Sequence, residues 1–278
     1  MKSLYQPLYK LFQKWPFISR VVLTLMLVGV AFILGGLIER TFPIKKYFPF
    51  TGLILLILVT WLMYRLDGKS LEDLGLNFKP RNLSLLFLGL ILGSVAFVLA
   101  KGLRMLYTGE GFEFNGAVDW QSVTLGLYYI LPMVAVEELL FRGYLFKKTI
   151  EKSSVLWANV IFATIFMLVH VIDNNILSSP GMILFYVITI PIGHLLFATA
   201  LLKSKTLMFP MGLHLGNNWA SFHIITDAQK EGGLSFVTNP ASFETWDSFL
   251  GFILIWNGLF LLLTWLIWKW PVGKIVVK

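Results

Sequence analysis

The chain contains no cysteine, so disulfides, thiol catalysis and cysteine-ligated zinc are all excluded. Charge is scarce too: Asp, Glu, Lys and Arg make up 14% of the 278 residues, against 57% hydrophobic ones, and mean hydropathy is +0.75. That is far from a soluble domain, in which roughly a quarter of residues are charged. What is present instead is a set of eight long windows free of Lys, Arg, Asp and Glu: 21–38, 47–64, 82–100, 120–136, 153–172, 174–202, 206–226 and 248–268. Each is near or above the roughly 18 residues needed to cross about 30 Å of hydrocarbon at about 1.5 Å per residue. The expected fold is all-α: a polytopic membrane protein built as a bundle of eight transmembrane helices. No linker or low-complexity tract divides it, so residues 1–278 read as a single integral-membrane domain.

Bases outnumber acids, 23 to 15. Placing the N-terminus in the cytoplasm puts 17 of the 23 on inner loops, including Lys2, Lys10, Lys274 and Lys278, and six on outer ones: Arg40, Lys45, Lys46, Lys101, Arg104 and Lys230. This satisfies the positive-inside rule and predicts that both termini are cytoplasmic. The formal charge of +8 then reflects basic inner loops against anionic lipid, and it gives no argument for nucleic acid as a partner. The first window is longer than a signal-peptide core and no A-x-A site follows it, so it reads as an uncleaved anchor.

Three polar stretches separate the windows. In "LDGKSLEDLGLNFKPRN" (66–82), Ser70 is placed to cap a short helix with Asp73 three residues on. "TGEGFEFNGAVDW" (108–120) and "DAQKEGGLSFVTNPASFETW" (227–246) read as outer loops without a recognisable binding motif. Tyr47, Trp61, Tyr64, Trp120, Trp157, Trp246, Trp265 and Trp268 fall at window ends, where such rings anchor a helix at headgroup level.

Ionisable groups at membrane depth are expensive and therefore functional candidates. Here they are Glu137, Glu138, Arg142, His170, His194, His214 and His223, with Asn217 and Asn218 as neutral companions. If windows four and five form an antiparallel hairpin about Lys152–Ser153, Glu137 and His170 lie level. Windows six and seven, meeting near 204, likewise bring His194 and His214 level. Glu138 and Arg142, four residues apart, can pair on one helix face. Glu137 projects about 100° away and is left free for chemistry. His214 and Asn218 are again four apart, giving two donors on one stripe. A carboxylate and an imidazole facing two donors make a plausible water-activating site with an oxyanion hole. His194 reads as a packing or supporting histidine, and His223, nine residues beyond His214, falls outside the site.

These residues resemble the three motifs of the CAAX protease and bacteriocin-processing family (CPBP, or Abi), which includes the type II CAAX prenyl endopeptidases. "EELLFR" supplies Glu137, Glu138 and Arg142; "FMLVH" supplies Phe166 and His170; "HLGNN" supplies His214 and Asn218. The motif-bearing region is 134–220. The resemblance implies an eight-helix bundle and a glutamate-type intramembrane endopeptidase acting on a membrane-associated peptide or protein, lipidated in some relatives. It implies that Glu137 and His170 activate water, that His214 and Asn218 stabilise the oxyanion, and that Glu138 and Arg142 support them. Relatives are often classed with metalloproteases, and zinc held by Glu137, His170 and His214 stays open, although no zincin pattern is present. The sequence has no G-x-S-G for a rhomboid-like serine enzyme, no Asp in the eight windows for a presenilin-like one, and no H-E-x-x-H for a site-2 type.

The alternative is a non-catalytic membrane scaffold, or a bacteriocin immunity or resistance factor, in which the polar cluster only fixes helix packing. A transporter fits less well, because no inverted repeat is visible and no Gly/Pro-broken helix pair apart from Pro191 and Pro210. The expected location is a bacterial cytoplasmic membrane, with the endoplasmic reticulum membrane as the alternative.

Overall fold

A computed structural model describes residues 14–271 except 43, 230, 231, 242 and 244. Lys2, Lys10, Lys230, Lys274 and Lys278, which entered the orientation count, lie outside the described residues. Each of the eight windows coincides with a helix: α1 (Pro16–Thr41), α2 (Thr51–Leu66), α3 (Pro80–Thr108), α4 (Trp120–Arg142), α6 (Val155–Val171), α7 (Pro180–Ser204), α8 (Met208–His223) and α9 (Trp246–Lys269). Two further helical pieces are present: α5 (Tyr144–Lys152), which follows α4 after a break at Gly143, and the single turn Asn174–Leu177 ahead of α7. Five segments are long and apolar enough to cross a membrane: α1, α3, the α4–α5 stretch, α7 and α9. Helices α2 and α6 are shorter apolar helices. Helix α8, with 16 residues, spans only about 24 Å and is not among the five.

Local chemistry explains most of the boundaries. Pro16, Pro80 and Pro180 occupy first-turn positions, where a missing N–H leaves nothing unsatisfied. Asp119, Ser154, Ser179 and Thr245 cap α4, α6, α7 and α9 by accepting from backbone N–H groups of the first turn. The Ser70 expectation holds in a shorter form: Leu71–Leu74 is one 3-10 turn, and Asp73 Oδ2 accepts from the Ser70 N–H at 2.8 Å. That loop docks on the start of α8. The Leu207 N–H donates to the Leu74 carbonyl at 3.0 Å, and the Thr206 hydroxyl donates to that of Gly75 at 2.9 Å.

Two features depart from the helical reading. The 108–120 and 227–246 stretches are not irregular loops: β1 (Gly111–Phe114) and β3 (Ser235–Thr238) lie in them and, with β2 (Ile225–Thr226), form a sheet of order β1-β3-β2, antiparallel between β1 and β3 and parallel between β2 and β3. Nor do α4 and α6 form a simple hairpin. Because α5 intervenes, α6 packs mainly on α7 and α5, while α4 packs mainly on α8 and α2.

The tightest crossing joins α3 and α8. Gly89 and Gly93 on one helix face Gly212 and Gly216 on the other. A Cβ at Gly93 would collide with the Leu213 carbonyl, and one at Gly216 with the Leu90 carbonyl. Reciprocal small-xxx-small pairs let two membrane helices approach backbone to backbone, where van der Waals packing replaces the absent hydrophobic drive. Ser94 adds a side-chain bond across the crossing, to the Gly216 carbonyl at 3.1 Å. Residues 208–216 of α8 are all buried, so this helix is an internal post.

The interfacial aromatics are exposed as expected, with one exception. Tyr64 is 3% exposed, packs edge-on against Tyr144, and turns inward.

Candidate active site

Arg142 and Glu138 are both completely buried, and Arg142 Nη1 donates to Glu138 Oε1 at 3.1 Å. The guanidinium is further enclosed by rings: its Cζ lies 4.3 Å from the centre of Phe166 and 5.1 Å from that of Phe197. Cation–π contact of this kind offsets part of the cost of burying the charge. Gly143 lets the chain break directly after Arg142, since a Cβ there would strike the Leu139 carbonyl.

His214 enters from α8. Its Nδ1 lies 2.9 Å from the same Glu138 Oε1, and its Nε2 lies 3.8 Å from Glu137 Oε2. Phe197 stacks on the imidazole at 4.6 Å, nearly parallel. A carboxylate can only accept, so Nδ1 carries the proton and Nε2 is turned toward Glu137. Glu137 Oε2 is buried and has no hydrogen-bond partner among the described protein groups.

His170 arrives from α6 with its Nδ1 held by the Phe166 carbonyl at 2.7 Å and its ring edge-on to Phe166 at 4.5 Å. Carbonyl oxygen again fixes the tautomer, leaving Nε2 as an acceptor in the neutral ring. On α8, Asn217 Nδ2 donates to Asn218 Oδ1 at 3.3 Å, so the amide nitrogen of Asn218 stays available as a donor. Glu137, His170, His214 and Asn218 all line one cavity of about 410 Å³. Much of its remaining wall is apolar or aromatic, including Phe185, Trp256 and Phe260.

Three short motifs on three helices thus contribute to the wall of one cavity. Residues 119–220 match the family described as Type II CAAX prenyl endopeptidase Rce1-like. This segment belongs to that CAAX protease family. The Rce1-like segment begins at the Asp119 cap of α4 and ends at Ala220 in α8, so it contains every residue of the three motifs. No curated protein and no solved structure matches the chain.

Other polar and aromatic residues near the motifs fall differently. His194 is completely buried beside Phe146 and Phe166, does not line the cavity, and has no hydrogen-bond partner on either ring nitrogen. It packs beside Phe166, the ring that covers Arg142, in keeping with its reading as a packing histidine. His223 Nδ1 bonds the Gly232 carbonyl at 2.7 Å, outside the cavity. Phe197, Asn217, Ser221 and Tyr186 border the site without having been singled out as site residues, and only Asn217, polar and beside Asn218, carried a sequence signal.

Glu137, His170 and His214 do not form a metal-binding set. Among the described residues, no group of three His, Asp or Glu side chains is close enough to hold one ion.

Proposed function

We propose that the protein is an intramembrane endopeptidase that hydrolyses a peptide bond of a membrane-associated protein or peptide. The observation that carries this reading is His214, bracketed by Glu138 at 2.9 Å and Glu137 at 3.8 Å on a cavity wall shared with His170 and Asn218. Glu137, whose outer oxygen lacks a protein partner, takes a proton from the attacking water. His170 Nε2 accepts that water's second hydrogen and orients it.

The resulting hydroxide bonds to the carbonyl carbon, and negative charge develops on the carbonyl oxygen. Asn218 Nδ2 and His214 Nε2–H donate to that oxygen, an arrangement usually worth about 10²–10³ in turnover per donor. For Nε2 to donate while Nδ1–H is held by Glu138, His214 acts as the imidazolium. In that state Glu137, Glu138, His214 and Arg142 sum to zero charge, which suits a buried cluster. Collapse of the tetrahedral intermediate breaks the C–N bond, and Glu137 returns its proton to the leaving amine.

The same reading places both termini in the cytoplasm of a bacterial cell, with the eight window helices as the transmembrane bundle and α8 as its inner member. The test is cleavage of membrane-tethered peptides by the reconstituted protein and by its Glu137→Ala and His170→Ala variants. Both variants should lose activity while remaining folded. Cleavage at the parent rate would overturn the mechanism, and a folded Glu137→Ala protein that kept the cellular phenotype would favour a scaffold instead.

A further inference from the structure

Helix α5 is the most strongly two-faced helix in the molecule, and each face borders a cavity. Toward α1, α2 and α6 lies an apolar space of about 560 Å³, larger than the candidate active site. Its walls include Val28, Val59, Leu140, Leu145, Ile161 and Phe162, with Lys152 and Ser153 at one end. Toward the 66–74 loop lies a polar space of about 180 Å³, lined by Tyr64, Asp67, Lys69, Asp73, Tyr144, Lys147, Lys148 and Glu151. Tyr144 is a wall of both. Neither cavity borders Glu137, His170, His214 or Asn218.

The polar cavity is built, and its acids are already engaged. Asp67 is bound by Arg20, Lys148 and the Tyr144 hydroxyl, Glu151 by Lys69 and Lys148, and Asp73 by the Ser70 N–H. Two donors are left over. The Lys147 ammonium makes no ion pair or hydrogen bond with the described residues, its backbone N–H bonding only the Gly143 carbonyl. The hydroxyl of Tyr64, on a residue only 3% exposed, has no partner there either. A buried phenol without a partner is destabilising unless an acceptor meets its hydroxyl. Lys152, at the end of the apolar cavity, is likewise unpaired among the described residues.

An occupant must therefore combine a hydrocarbon chain with an acceptor-rich anionic head, and the two parts must sit side by side. The geometry points to a resident anionic phospholipid: one acyl chain in the apolar cavity, and the phosphate held between Lys152, Lys147 and the Tyr64 hydroxyl across Tyr144. Juxtamembrane lysines attract such heads, and the charge complementarity selects them over zwitterionic lipids. Free phosphate shares the head chemistry but leaves the apolar space unused.

The test is lipid binding to the purified full chain, by native mass spectrometry and thermal shift, using phosphatidylglycerol, phosphatidylcholine and inorganic phosphate. Phosphatidylglycerol should bind about tenfold more tightly than phosphatidylcholine. The double variant Lys147→Ala/Lys152→Ala should bring the two within about threefold of each other, and Tyr64→Phe should weaken phosphatidylglycerol selectively. Leu25→Trp and Ile161→Trp, which fill the apolar space from exposed positions, should weaken both lipids. Equal binding of the two lipids by the parent, a shift reproduced by inorganic phosphate alone, or undiminished binding in the folded tryptophan variants would each overturn the proposal.

Discussion

His214 Nδ1 and Arg142 Nη1 converge on a single oxygen, Glu138 Oε1, at 2.9 and 3.1 Å. Glu138 is therefore more than the partner of a buried arginine, because it also fixes which imidazole nitrogen faces Glu137. The two adjacent glutamates should then fail in different ways. Glu137→Ala should abolish turnover with little change in melting temperature. Glu138→Ala should destabilise by about 3–5 kcal/mol, since it strands Arg142 without a counterion. Thermal unfolding in detergent alongside peptide cleavage separates the two, and equal losses of stability would refute this division of labour.

Asn218→Ala should lower kcat by about 10²–10³ with a much smaller change in KM, because an oxyanion donor acts mainly in the transition state. Steady-state kinetics on one peptide decides this. A raised KM at constant kcat would mean that Asn218 only binds substrate.

The glycine crossing makes a sharp packing prediction. Gly93→Val or Gly216→Val should force α3 and α8 apart, destabilise by about 1–3 kcal/mol and reduce cleavage, because α8 carries His214 and Asn218. Gly29→Val, at a position with open space around it, should do neither. Thermal shift and activity on the three variants provide the comparison.

Asp67 ties the first inner loop to α1 and α5. Burial pushes its carboxyl up, but hydrogen bonds from Lys148 and Tyr144 and the charges of Lys148 and Arg20 outweigh this and hold it below the usual aspartate value. A depressed folded-state value means that the stabilisation is present above the unfolded aspartate value and is lost as pH falls through the folded one. Stability should therefore drop on acidification below about pH 4, and Asp67→Asn should flatten that part of the profile. An unchanged acid limb in the variant would show that Asp67 contributes nothing.

The helices were legible in the sequence because charge is excluded from hydrocarbon, so the eight charge-free windows mark them directly. Glu137, His170, His214 and Asn218 do share one cavity, although α4 and α6 do not form the simple hairpin that the levelling of Glu137 with His170 assumed. Three things were not legible. Helix α5 hides within charged residues, and only Gly143 marks the break before it. Phe197 is one of 24 phenylalanines, and nothing local distinguishes the ring that stacks on His214. The α3–α8 crossing did leave a trace, G-x-x-x-G at 89–93 and at 212–216, but a small-residue pair identifies its partner only once the helices are in place. The β1–β3 pairing is a long-range contact between two outer loops, which no local pattern announces.

Helix α8 also bears on how the molecule is made. It is short, nearly enclosed, and interrupted by polar groups, so it has little to gain from entering lipid alone. Its stable position depends on the glycine face of α3, a segment synthesised about a hundred residues earlier. The histidine and asparagine it carries can take up these positions only once the glycine face of α3 is there to receive them.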